Sequence, residues 1–131
     1  MSTVRSHMDP RLDHGIEEFN AGNFFTAHEI WEDLWNDCVG AEKLAVQALV
    51  QIAAGYAKVE SGVRGGALKL LTRGLAQLRP FAPAGLGLLL DTFAEGVARD
   101  VERVRGTAEA SVSLQVVRPP PLRRIRSAAD S

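Results

Sequence analysis

Between Glu42 and Glu60 the chain carries Leu44, Val46, Leu49, Val50, Ile52, Ala53, Tyr56, Ala57 and Val59, so a helix here is apolar on nearly every side. Such a helix has to be wrapped by other elements, and the rest of the chain must supply them. Segments with the right spacing flank it. Leu12, Ile16 and Phe19 predict a helix over 10–21, opened by Asp9 as N-cap and Pro10 at the first position. Asn20-Ala21-Gly22-Asn23 stops it, because Gly and Asn accept a left-handed backbone at a helix end. Phe24, Ala27, Ile30, Trp31, Leu34 and Trp35 predict a second helix over 24–37. Leu68, Leu71, Leu75 and Leu78 predict a fourth over 67–78, and Leu89, Leu90, Phe93, Val97, Val101 and Val104 a fifth over 86–105. The expected fold is all-α: a compact bundle of about five helices in antiparallel pairs, with helices 2 and 3 at its centre.

This divides the chain into a flexible N-terminus (1–9), a helical domain (10–106) and an extended or disordered tail (107–131). In the tail, Ser111 to Val117 alternates weakly, Pro119-Pro120-Pro121 favours polyproline II, and Arg123, Arg124 and Arg126 form a basic end. It reads as a solvated terminus. The sharper alternative, a docking or nucleic-acid contact arm, has three arginines behind it.

Composition narrows the function classes. A chain of 131 residues buries a core without disulfides or a structural metal. A formal net charge of -1 offers no global attraction to nucleic acid or an anionic membrane. The apolar runs are too short or too broken to span a bilayer, and the polar stretch Met1 to Asp9 does not read as a secretory leader. A single cysteine, Cys38, excludes an intrachain disulfide and points to a reducing, cytoplasmic compartment.

The chemistry-bearing segment is His28-Glu29-Ile30-Trp31-Glu32. His28 and Glu32 are four apart and share a helix face, on the shoulder of the stripe formed by Phe24, Trp31 and Trp35. On the third helix Gln47, Gln51 and Lys58 form a polar line. If it faces helix 2, His28, Glu29, Glu32, Gln51 and Lys58 border one groove, fit for a small polar molecule or a segment of a partner protein. That is the leading expectation: a non-catalytic ligand-binding or interaction domain. Trp31 and Trp35 read as core anchors whose indole N–H groups need partners, with the carboxylates as candidates. The rival is a metal-dependent hydrolase, in which His28 and Glu32 ligate a divalent cation and Glu29 activates a bound water. The motif lacks the second histidine of the zinc proteases and the Glu-x-x-His order of di-iron bundles. A third reading makes the motif a structural polar network. No phosphate loop, dinucleotide fingerprint or nucleophile elbow is found. An apolar surface on helix 5 would suit a homo-oligomer.

The stretch Phe19 to Trp35, with the block Leu49 to Gly62 and then Gly66 to Leu71, resembles the signature of the bacterial and archaeal family called domain of unknown function 309. The matching positions are Phe19, Gly22, Ala27, His28, Glu29, Trp31, Glu32, Trp35, Gln51 and Gly62, while Val63 stands where that family often has Asn. The resemblance implies a compact helical domain and no established activity.

Overall fold

The structure, a computed structural model, describes residues 9–106 and 119–125. The N-terminal residues before Asp9, the stretch Ser111 to Val117 and Arg126 lie outside them. Among the described residues are five helices, α1 (Pro10–Asn20), α2 (Phe24–Asp37), α3 (Gly40–Glu60), α4 (Arg64–Leu78) and α5 (Leu90–Gly106). Two 3₁₀ turns, Arg79–Phe81 and Gly85–Gly87, join α4 to α5. No strand forms among these residues; one antiparallel bridge pairs Leu88 with Arg124. The all-α bundle is borne out.

As its composition requires, α3 is enclosed, packing most extensively on α4 and α2. Ala45, Val46, Ala48, Leu49, Ile52, Ala53, Tyr56 and Val59 are all buried. Phe19, at the end of α1, ties four helices together. Its ring lies 5.3 Å from Phe24, 5.8 Å from Trp31, 5.7 Å from Tyr56 and 5.7 Å from Phe93, mostly edge to face, the arrangement aromatic quadrupoles favour. Two glycines allow close helix contacts. A Cβ on Gly15 would fall 2.1 Å from Trp31 Nε1, and one on Gly55 would fall 2.7 Å from Leu71 Cγ.

Asp9 caps α1, accepting from Arg11 N at 2.9 Å. The Arg11 guanidinium bonds Asp9, Asp33 and Asp37, each at 2.9 Å, and so pins α1 to the outer face of α2. Its hydrogen bond holds the Asp9 carboxyl below the usual carboxylate range.

Helices α1 and α3 end in the same turn. Gly22 N donates to the Phe19 carbonyl and Asn23 N to Glu18; Gly62 N donates to Val59 and Val63 N to Lys58. Gly22 and Gly62 take φ of 89° and 76°, the left-handed backbone that closes such a turn. Asn23 makes no side-chain cap bond, so Val63 builds the same turn from backbone alone.

Boundaries depart from the sequence expectation where glycine misleads. Gly65 and Gly66 sit inside the first turn of α4 rather than before it, and α3 starts at Gly40. Helix α5 starts four residues late, because Leu86 and Gly87 adopt φ of 62° and 68°, which an α-helix cannot contain.

Candidate functional site

On α2, His28 and Trp35 lie seven residues apart on one face, half-buried on the side toward α3. Helices α2 and α3 are joined by Cys38 and Val39 alone, so they run antiparallel. Lys43 Nζ lies 4.3 Å from the centroid of the Trp35 ring, and this contact sets the register. Seven residues along each helix, about 10 Å at 1.5 Å per residue, bring Val50 level with His28 and place Gln51 one residue on.

Side chains on these two helices are under-partnered. His28 Nδ1, Trp35 Nε1 and Gln51 Oε1 are buried and accept or donate no hydrogen bond. His28 Nε2 stands 3.7 Å from Glu32 Oε2, and the imidazole stacks on Phe25 with centroids 6.0 Å apart. Such a separation is too long for a hydrogen bond, so the shared face brings the pair together without bonding it. Trp31 differs: it is fully buried and its Nε1 donates to the Leu12 carbonyl at 3.3 Å. Neither indole bonds a carboxylate, contrary to the sequence expectation.

The polar line of α3 faces α4, not α2. Gln77 Nε2, on α4, donates to Gln47 Oε1 and to the Leu44 carbonyl, both at 2.8 Å. A Cβ on Gly74 would lie 3.2 Å from Gln51 Cβ, and one on Gly66 3.5 Å from the Lys58 stem. The expected five-residue groove therefore does not assemble. Gln51 lies one residue past the level of His28, with its Cβ against Gly74 of α4. Lys58 is exposed, about 10 Å further along α3. Glu29 is exposed, turned about 100° from His28. Among the described residues no group of three or more His, Cys, Asp or Glu is placed to hold a metal ion. Nor is any described helix long and apolar enough to cross a membrane.

One buried acid escaped the sequence reading. Asp100 on α5 is 3% exposed, and Tyr56 Oη donates to its Oδ2 at 2.5 Å. The signal was available: Asp100 stands three residues after Val97 and four before Val104, on the apolar stripe of α5. Burial pushes the Asp100 carboxyl up, against the Tyr56 hydrogen bond and the charges of Arg103 and Arg99. Burial first, then the Asp100 charge, raises the Tyr56 phenol and keeps it protonated.

A raised carboxylate pKa means that the folded chain holds its proton where the unfolded chain has lost it. This contribution therefore loses stability as pH rises from the unfolded value through the folded one. Asp100→Asn keeps an oxygen for Tyr56 and removes that dependence. Comparing melting temperatures of parent and variant between pH 4 and 8 should show the difference moving in favour of the variant as pH rises. A difference flat with pH would contradict the burial assignment.

Beside this pair, between the ends of α1 and α3 and the segment Pro119–Pro121, opens a hollow of about 610 Å³. Phe19, Phe24, Tyr56 and Val59 line it. His28, Glu32 and Gln51 do not, so the hollow and the under-partnered seam are separate features.

Residues 12–70 match the family described as Domain of unknown function (DUF309), as the resemblance implied. The match takes in α1 to α3 and the start of α4, and with them His28, Trp31, Trp35 and Gln51. A search of curated proteins finds no match to the chain.

Proposed function

We propose that the matched segment is a non-catalytic binding domain whose α2–α3 seam receives a small polar ligand or a polar segment of a partner. One observation carries this reading: His28 Nδ1 and Trp35 Nε1, seven residues apart on one face of α2, are buried without partners. Buried polar atoms are almost always hydrogen-bonded, and each one left unbonded costs about 1–3 kcal/mol. Two on one helix face form a pair of groups suited to a ligand that supplies the missing bonds.

The donor set indicates its chemistry. The Trp35 indole offers a hydrogen and needs an acceptor. Lys43 lies over the same ring and favours an acceptor that carries negative charge. At the other end His28 Nδ1 takes either role with its tautomer, and Glu32 favours a positive group. A molecule acidic at one end and hydrogen-donating at the other, lying about 10 Å along the seam, meets all of them.

The two tryptophans give the test. Each indole N–H yields one signal in a ¹H–¹⁵N spectrum. Amino acids, short peptides and small carboxylates added singly should include a class that shifts the Trp35 signal saturably and leaves Trp31, bonded to Leu12, in place. His28→Leu should abolish the shift. If no class moves Trp35, and His28→Leu raises the melting temperature without loss elsewhere, the seam is a structural contact and the reading fails.

A further inference from the structure

Residues 119–125 lie against the bundle in the manner of a bound peptide. Asn20, at the end of α1, reads the backbone of Leu122 with both atoms of its amide. Its Nδ2 donates to the Leu122 carbonyl and its Oδ1 accepts from the Leu122 N–H, each at 2.9 Å. The Leu122 side chain is fully buried. Pro120 rests on α5 where Gly96 leaves room: a Cβ there would fall 2.4 Å from Pro120 Cγ. Leu89 N donates to the Arg123 carbonyl at 2.8 Å, Ile125 N donates to Gly87 at 2.9 Å, and Arg124 pairs with Asp13 at 2.5 Å. Paired backbone bonds with one anchoring side chain are how extended peptides are recognised in general.

Nothing in these contacts depends on which molecule supplies the segment. Twelve residues join Gly106 to Pro119, a length that spans up to about 40 Å. The path required is short, since Pro120 sits on Gly96, ten residues and about 15 Å back along α5. Twelve residues are thus more than the path within one chain needs. We propose that the groove between Asn20, Gly96 and Gly87–Leu89 is a receptor for an extended Pro-Pro-x-Leu segment, and that residues 119–125 of a second copy of this chain fill it when the chain's own segment does not. Covalent attachment gives the chain's own segment a high effective concentration, so exchange shows where that pairing is spoiled.

Complementation between two full-length variants tests this. Gly96→Ala closes the space under Pro120 while suiting the helix; Leu122→Ala removes the anchor. Each chain alone then lacks a matched groove and segment, and only the mixture contains one good copy of each. Native mass spectrometry at roughly 100 µM, about a tenth of the millimolar effective concentration of a tethered segment, should show a 1:1 heterodimer in the mixture and monomer in either variant alone. Trypsin should cut after Arg123 in Gly96→Ala roughly tenfold faster than in the parent, because cleavage follows the open population. Adding the Leu122→Ala chain should slow that cut again. No heterodimer and no protection, with both variants folded by circular dichroism, overturns the proposal. If Leu122→Ala does not fold, Pro120→Ser takes its place and the same outcomes decide.

Discussion

Trp31→Ala should destabilise the chain by about 3–5 kcal/mol, whereas Trp35→Ala, four residues on, should cost about 1 kcal/mol. Trp31 is fully buried, fills the space that Gly15 leaves, packs its ring against Phe19 and donates to Leu12. Its removal leaves a cavity at the meeting of α1, α2 and the aromatic cluster, and takes the indole donor from the Leu12 carbonyl. Trp35 is half-buried at the edge of the core, makes no hydrogen bond through its indole and loses the Lys43 contact with part of its packing. Urea unfolding of both variants measures the two costs directly. Equal large losses would make Trp35 a core anchor like Trp31 and would remove the reason for treating it as part of a ligand seam.

Gly55→Val should cost about 3 kcal/mol, and Gly65→Ala should lie within about 1 kcal/mol of the parent. At Gly55 the new Cβ would meet Leu71 Cγ and Cδ2 at 2.7 Å and the Leu71 backbone nitrogen at 3.1 Å. Leu71 is itself fully buried, so neither partner can move without parting α3 from α4. At Gly65 nothing lies within 4 Å of an added Cβ. Thermal unfolding of the pair separates steric contact from helix propensity. A well-tolerated Gly55→Val would show that the α3–α4 packing yields more readily than these distances allow.

The bundle was legible because its helices announce themselves by period. Phe24 to Asp37 emerges with both its expected ends, and α3 is enclosed as its all-round apolar surface demanded. The arrangement of the site was less legible. Periodicity shows that Gln47, Gln51 and Lys58 share a face, but not which neighbour covers that face. That depends on the rotation of α3 between α2 and α4, decided by the close contacts at Gly55 and Gly74. Leu122 gave no signal, since a lone leucine among prolines and arginines has no period to belong to. Its burial depends on Asn20, about a hundred positions earlier in the chain. Asp100 was hidden by its charged neighbours Arg99, Glu102 and Arg103, although its own spacing placed it inward.

The close contacts at glycine also bear on how such a sequence can drift. Gly15 faces Trp31, Gly55 faces Leu71, and Gly96 faces Pro120. At each contact one partner has no side chain and the other fills the space. A lineage that acquires a side chain at one of these glycines keeps the packing by shortening the residue opposite. These positions are therefore expected to change as pairs, each glycine recording the size of a residue on another element.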